Sequence, residues 1–328
     1  NETDMKQQYK TKKPLIILTG PTAVGKTKLS IELAKAVNGQ MISADSMQVY
    51  RHMDIGTAKI RPEEMQDIPH YLIDVLDPWE SFDVVRFQTM AKEALEKIYT
   101  AGAIPIVVGG TGFYIQALLY NIDFDENDSE TGYRSELQSF ADRHGVEALH
   151  DRLRQVDEKS ADMIHPNNIK RVIRALEFYH QTGTRISEHN ETQRQKESPY
   201  RFVYFVLDDE RERIYRRIDQ RIDQMLDQGL VAEVKQLRDM GCTRDMVSMQ
   251  GLGYKEILAY LDGECTLEEA VYILKRDTRH FAKRQLTWFR REHEVRWIER
   301  QEYPDEAAML QAMLAQLPPE FLQNNYSF

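Results

Sequence analysis

Eight residues near the start of the chain constrain it more than any others. Gly20-Pro21-Thr22-Ala23-Val24-Gly25-Lys26-Thr27 fits the pattern G-x-x-x-x-G-K-[ST] in full. The apolar run Leu15 to Leu18 precedes it and the helical spacing Leu29, Leu33, Ala34, Val37 follows, so the pattern sits in the strand, turn and helix that give it meaning. Glycines let the backbone wrap an anion. Successive N–H groups and the positive end of a helix then point into the loop, Lys26 places a cation on the phosphates, and the Thr27 hydroxyl offers a ligand to Mg²⁺. Gly20, Thr22, Ala23, Val24, Gly25, Lys26 and Thr27 are therefore expected to hold a diphosphate. Kinases, NTPases and diphosphate-using transferases all carry such a loop, so it does not identify its phosphate compound. An N-K-x-D element is absent, which argues against a guanine nucleotide.

Strand, glycine loop and helix open an α/β domain. Further apolar runs, Met41-Ile42, Tyr71-Leu72-Ile73, Ile104 to Val108 and Phe202 to Leu207, are continuous rather than alternating, as suits strands buried on both faces of a parallel sheet. Between them lie helical patterns such as residues 82–99, with Ser81 as expected N-cap and Gly102 as stop. Residues 121–200 are polar, charged and mostly helical, interrupted by Pro166. The expected fold class is α/β, a P-loop NTPase-like parallel sheet flanked by helices, with an all-helical insertion at 121–200. Residues 1–120 and 201–328 then form the core with C-terminal helices. Long helices are expected over 211–228, stopped by Gly229, and over 267–291, with a last strand at Val295 to Ile298.

Composition narrows the partners. No run approaches the roughly 18 apolar residues that span a bilayer, and residues 1–13 lack a signal-peptide core. A cytoplasmic protein is expected. Cys242 and Cys265 are the only cysteines and the nine histidines are scattered, so neither a disulfide framework nor a zinc site follows. The net charge of −10 speaks against nucleic acid, but its distribution matters more. Acids collect at 123–130 and 299–306, whereas residues 275–291 hold seven Lys or Arg against the single acid Asp277. That segment can face RNA.

At the next strand end stands Asp45-Ser46-Met47-Gln48-Val49-Tyr50-Arg51, placed beside the phosphate loop because ligands bind at the carboxyl ends of parallel strands. Gly109-Gly110-Thr111-Gly112 follows the strand Ile104 to Val108, its glycines read as room for a ligand beside the Thr111 hydroxyl. Asp74, after Leu72-Ile73, has the position of a carboxylate that holds Mg²⁺ through water, or of an Asp that merely closes a buried strand.

Taken in order, GPTAVGKT, DSMQVYR, DIGTAK, PHYLID, GGTGFY, RALE, GLGYKE and RHFAKRQLTWFR resemble the bacterial tRNA dimethylallyltransferases over about residues 14–300. The resemblance implies transfer of a dimethylallyl group from dimethylallyl diphosphate to N6 of adenosine 37 in the tRNA anticodon loop, with Mg²⁺ and without a stable protein partner. It implies Asp45 as the base that takes the amine proton. It also implies an arginine of the helix 211–221 on the diphosphate, Arg217 ahead of Arg221. Thr111 either caps its helix or touches the base or diphosphate, and the resemblance points to the contact. Asp45, Ser46, Met47, Gln48 and Thr111 would line the pocket of the unstacked base. Arg134, Lys170, Arg171 and Arg174 of the insertion, with Arg279, Lys283 and Arg284, would grip RNA. Phe281, Trp288 and Phe289 either interleave there for stacking or belong to the core. Gly251 to Tyr254 reads as a glycine turn packed on the catalytic domain or the anticodon stem. The resemblance lacks the zinc finger of eukaryotic relatives. Three other readings stay open: transfer to free adenine nucleotides, a small-molecule kinase using ATP at the same loop, and a phosphate-loop RNA-binding protein without catalysis.

Overall fold

The computed structural model describes residues 2–3, 12–124 and 132–322. Most of the acidic run 123–130 lies outside the described residues. Two compact units emerge, residues 1–118 with 200–328, and residues 119–199.

The first unit is built on six parallel strands: β1 (Lys13–Thr19), β2 (Gly39–Ser43), β3 (His70–Tyr71), β4 (Ile104–Val108), β5 (Tyr200–Asp208) and β6 (Val295–Glu299), in the order β3-β2-β4-β1-β5-β6. Leu15 to Leu18 are fully buried, as a central strand covered on both faces requires. Each such side chain contributes roughly 1.5–3 kcal/mol by burial. Helices α1 (Lys26–Val37), α2 (Val84–Thr100) and α3 (Gly112–Leu119) follow β1, β3 and β4. Helix α2 starts later than expected: Asp83, not Ser81, caps it, its carboxylate accepting the Arg86 N–H at 2.9 Å. Gly102 closes it at φ 71°. The strand expected at 71–73 ends at Tyr71, because Leu72 and Asp74 take positive φ (65° and 56°) and the chain turns out of the sheet. This is the fold of a P-loop NTPase-like α/β protein.

Five helices make the second unit: α4 (Gly132–His144), α5 (Val146–Val156), α6 (Glu158–Met163), α7 (Ile169–Thr182) and α8 (Ile186–Arg194). Leu137, Leu149, Leu153, Val172 and Leu176 form its own core. Two buried carboxylates organise it. Asp157 accepts from the N–H and hydroxyl of Ser160 (3.2 and 2.7 Å) and of Ser187 (3.1 and 2.6 Å), joining the starts of α6 and α8. Burial pushes this carboxyl up, and the four hydrogen bonds outweigh it, so it titrates below the usual carboxylate range. Glu177, fully buried, receives Arg134 bidentately (2.7 and 3.0 Å), with Arg174 at 3.9 Å.

The first unit continues through α9 (Arg211–Gln228), α10 (Leu230–Asp239), α11 (Tyr254–Leu261), α12 (Leu267–Arg290) and α13 (Glu306–Ala315). Ile214, Ile218 and Ile222 bury the apolar stripe of α9, and Gly229 ends it at φ 109°. Arg279 to Asp219 (2.9 Å) and Lys275 to Asp223 (2.7 Å) tie α12 to α9. No helix among the described residues is long and apolar enough to cross a membrane.

Removing one partner of a buried ion pair strands the other charge. Arg134→Ala should therefore destabilise the helical unit by about 3 kcal/mol, read by chemical denaturation. A loss under about 1 kcal/mol would mean that the pair behaves as a surface salt bridge.

Candidate active site

The loop between β1 and α1 wraps back on itself. Gly20 (φ 151°) packs so closely under the Leu207 carbonyl that a Cβ would stand 2.5 Å from it, and Ala23 holds φ 67° to turn the backbone inward. Lys26 Nζ donates to the carbonyls of Gly20 (2.9 Å) and Pro21 (3.1 Å). Burial lowers the pKa of Lys26 to about 7; the Arg221 guanidinium pushes the same way and the Asp45 carboxylate opposes them. Lys26, Arg221 and Asp45 thus share one electrostatic environment. The Thr27 residue is exposed in the first turn of α1.

Asp45 follows β2, whose register beside β4 carries it to this edge. Its Oδ1 accepts the N–H groups of Met47 (2.7 Å) and Gln48 (3.1 Å), building the turn, while Oδ2 has no hydrogen bond among the described residues. Burial raises the Asp45 carboxyl above the usual range; the two N–H groups and the ammoniums of Lys26 and Lys59 oppose the rise. One oxygen is structural and the other is available, on a carboxylate made more basic by its surroundings.

Several expected residues have other duties. Arg217 faces the back of the loop: its Nη1 donates to the Val24 carbonyl at 3.4 Å and pairs with buried Asp209 at 3.5 Å. Carbonyls of an anion nest point away from the anion; the Arg221 guanidinium lies near enough to Lys26 to help lower its pKa, and Arg217 in turn lowers that of Arg221. Three glycines of the segment 109–112 each let another part of the chain approach closely. A Cβ on Gly109 would meet the Ala44 backbone at 2.6 Å, one on Gly110 the Gln285 amide at 2.2 Å, and one on Gly112 the Trp288 ring at 2.2 Å. Thr111 donates its N–H to Ala44 O (3.2 Å) and its carbonyl starts α3, so it caps that helix; its hydroxyl has no hydrogen bond among the described residues. Asp74 is an ion-pair partner of Lys59, not a residue at a strand end.

Gln48 donates its amide to Thr57 O (3.1 Å), and Met47 packs on Gly251, where a Cβ would lie 2.5 Å from its methyl. The turn at 251–254 therefore packs on the catalytic unit. Ser46 is half-buried on the same turn. Of the basic residues expected on RNA, Lys170, Arg171, Lys283 and Arg284 are exposed, whereas Arg134, Arg174 and Arg279 are engaged with Glu177 and Asp219. Phe289 is core, fully buried; Trp288 is half-buried edge-on to Phe113, and Phe281 is half-buried beneath Arg284.

Four residues without an assigned role hold the site. Buried Gln285 accepts the Thr22 N–H (2.8 Å) and donates to Gly110 O (3.0 Å), joining the two glycine loops through α12. Lys59 donates to Tyr50 O (2.6 Å), Asp54 Oδ1 (2.7 Å) and Asp74 Oδ1. The Glu233 carboxylate accepts the N–H groups of Asp54, Ile55 and Gly56 (2.8, 2.8 and 3.1 Å) and the Tyr254 hydroxyl (2.8 Å). Arg300 donates to the carbonyls of Val24 (3.1 Å) and Gly25 (3.2 Å). Gln285 and Lys59 lie inside quoted motifs and were legible as candidates; Glu233 and Arg300 carry no local signal.

An anion cradle after the central strand and a basic carboxylate one strand beyond its neighbour define a phosphate-loop protein equipped for group transfer from a phosphate donor. Known proteins narrow the class. The sequence profile described as IPP transferase matches residues 48–292, and that described as isopentenyl transferase matches residues 13–76. A tRNA dimethylallyltransferase of Lachnoclostridium phytofermentans is 63% identical over 301 residues, 92% of this chain and 96% of that protein. Among solved structures, the tRNA isopentenylpyrophosphate transferase of Bacillus halodurans is 46% identical with a TM-score of 0.71, covering 95% of this chain and 97% of its own. A eukaryotic dimethylallyltransferase acting on tRNA is 31% identical with a TM-score of 0.72, covering 93% and 80%. The chain belongs to the IPP transferase family, whose relatives here are tRNA dimethylallyltransferases.

The depressed Lys26 pKa has a signed consequence. A bound diphosphate favours the ammonium, so above pH 7 binding draws in a proton and affinity falls as pH rises. Pyrophosphate affinity followed by calorimetry from pH 7 to about 9 should weaken by up to about tenfold per unit more in the natural protein than in Lys26→Arg. Parallel curves for the two would remove Lys26 as the titrating group.

Proposed function

We propose that this protein transfers a dimethylallyl group from dimethylallyl diphosphate to N6 of adenosine 37 in the tRNA anticodon loop, releasing pyrophosphate. The observation that carries the reading is the Oδ2 of Asp45, which has no hydrogen bond among the described residues and shares the surroundings of Lys26 in the phosphate cradle. An exocyclic adenine amine is a poor nucleophile because its lone pair is delocalised into the ring. Asp45 accepts the N6 proton as N6 bonds C1 of the dimethylallyl group and the C1–O bond breaks, its electron pair leaving with pyrophosphate. A positioned base contributes about 10²–10⁴-fold. The loop N–H groups, Lys26 and Arg221 meet the charge that develops on the departing oxygen.

The residues suit Mg²⁺, a hard ion that takes few protein oxygens and completes its shell with phosphate and water. The exposed Thr27 residue at the helix start supplies a hydroxyl, and no group of three acidic, histidine or cysteine side chains among the described residues offers a closed cage. Bound there with the diphosphate, Mg²⁺ would neutralise leaving-group charge. RNA contact is assigned to exposed Lys170 and Arg171 on α7 and to Lys283 and Arg284 on α12. A single chain suffices for every group named.

Labelled dimethylallyl diphosphate with Mg²⁺ and unmodified tRNA bearing adenosine 37 should label that tRNA, and neither AMP nor a tRNA with guanosine 37. Label on AMP would shift the reading to the cytokinin-forming class. Asp45→Asn should lower single-turnover transfer by at least about 10²-fold with tRNA affinity within a few fold; joint loss of both would move Asp45 from catalysis to recognition. Arg221→Ala should cost more turnover than Arg217→Ala, and the reverse order would return Arg217 to the diphosphate.

A further inference from the structure

A carboxylate that is to take a proton needs a fixed position and a cation that the donor does not claim. Oδ1 of Asp45 is fixed by the N–H groups of Met47 and Gln48 (2.7 and 3.1 Å), so the carboxylate stands where the segment 45–50 puts it. That segment is pinned from outside. The Gln48 carbonyl accepts the Asp74 N–H (3.2 Å), and the Gln48 side-chain amide donates to Thr57 O (3.1 Å). The Val49 carbonyl accepts the N–H groups of Val75 and Leu76 (2.9 and 3.0 Å). Two stretches, 54–59 and 74–76, therefore hold the turn of Asp45, and neither belongs to the phosphate loop.

Lys59 joins them. Its backbone N–H donates to Asp54 O (3.1 Å) and closes the 54–59 loop, while its side chain is only 4% exposed. The ammonium donates to Tyr50 O (2.6 Å) at the end of the turn, to Asp54 Oδ1 (2.7 Å) and to Asp74 Oδ1. An ammonium has three protons, and all three are taken, so nothing of it is left for a substrate.

Its charge matters as well as its grip. Burial raises the Asp45 carboxyl above the usual range, and the Met47 and Gln48 N–H groups, Lys26 and Lys59 oppose that rise. Lys26 belongs to the phosphate cradle, with Arg221 acting on it, and a bound diphosphate would offset the field of both at Asp45. The counter-ions of Lys59 are Asp54 and Asp74, which belong to the protein and are the same with or without donor.

We propose that Lys59 is a positioning residue for the transfer: by tying Tyr50, Asp54 and Asp74 together it fixes the turn that carries Asp45 and holds a cation beside it that the donor does not touch. This role deepens the function given above and rests on it for Asp45 as the base. The sign is definite. A nearby cation favours the carboxylate, so replacing Lys59 by a neutral residue raises the pH at which Asp45 ionises, and neutralising a counter-ion of Lys59 lowers it.

Two readouts test this on the natural protein, Lys59→Met, Lys59→Arg and Asp74→Asn. One is the titration of the Asp45 carboxyl carbon by NMR, assigned through its disappearance in Asp45→Asn. The other is single-turnover transfer against pH, with pyrophosphate and tRNA affinities measured alongside. Lys59→Met should raise the Asp45 midpoint by about half a unit or more, and Asp74→Asn should lower it. At neutral pH, Lys59→Met should slow transfer by about tenfold or more while both affinities stay within about threefold. Lys59→Arg, which keeps the charge, should hold the midpoint near that of the natural protein and recover part of the rate. A prop of the fold would instead move rate and affinities together and leave the midpoint in place. An unchanged midpoint in Lys59→Met overturns the proposal whatever happens to transfer. If circular dichroism shows that Lys59→Met does not fold, Asp74→Asn decides: a lowered midpoint supports the role, and an unchanged or raised one ends it. Midpoints that move as expected in a protein that transfers nothing to tRNA would sink the function and leave the hold of Lys59 on the carboxylate standing.

Discussion

The site depends on one strand being flanked correctly. β1 lies between β4 and β5, in register from Ile16 to Leu18 with Ile106 to Val108 and from Lys13 to Thr19 with Tyr200 to Val206. That register delivers the phosphate loop to a fixed height between two neighbours. Gly20 can then slide under the Leu207 carbonyl, and the Thr19 hydroxyl reaches Gly109 O. A slip of one residue would invert every side chain of the strand and lift the loop off both supports. The apolar continuity of Leu15 to Leu18 makes that slip unfavourable only because both faces are covered.

Chemistry is assembled on this frame by sharing a small number of charges. Arg221 and Asp45 both act on Lys26, Lys26 and Lys59 act on Asp45, Arg217 acts on Arg221, and burial acts on Lys26, Asp45 and Arg221 alike. Two cations without a counter-ion would repel; the Asp45 carboxylate, with one oxygen locked into a turn, offsets the Arg221 guanidinium at Lys26. The asymmetry of Asp45 is useful because a carboxylate using both oxygens for structure would have none left for a proton.

Much of this was legible along the chain. The loop motif, the continuous strands and the caps at Gly102 and Gly229 are local signals, and they place the sheet and most helices. Asp45 was legible because a strand end beside a phosphate loop is a predictable location. What was not legible depends on distant pairing. The side of α9 that faces the cradle is set by its packing on α12, which is why Arg217 and Arg221 could not be ordered from their shared helix. Arg300 meets Val24 only because β6 joins the sheet beyond β5. The basic residues were read as surface charges, but Glu177 needed two of them, and nothing near Arg134 in the sequence announces a buried carboxylate on another helix. In the GGTG segment the glycines read as room for a ligand also admit close packing of Ala44, Gln285 and Trp288, partners that lie far away in the chain.

Glu233 has a consequence for how this protein tolerates change. Its single carboxylate holds three backbone N–H groups of residues 54–56 and the buried Tyr254 hydroxyl. The held loop continues through Thr57 to Gln48 and through Lys59 to Tyr50 and Asp74. Residues from four separate stretches of chain are therefore coupled in one network. Substitutions among Gln48, Lys59, Glu233 and Tyr254 are not independent events, because the first to change removes the partner that gave the others their value. Exposed side chains on α10 and α11 lie outside this knot, which changes at least cost when several of its members are replaced together.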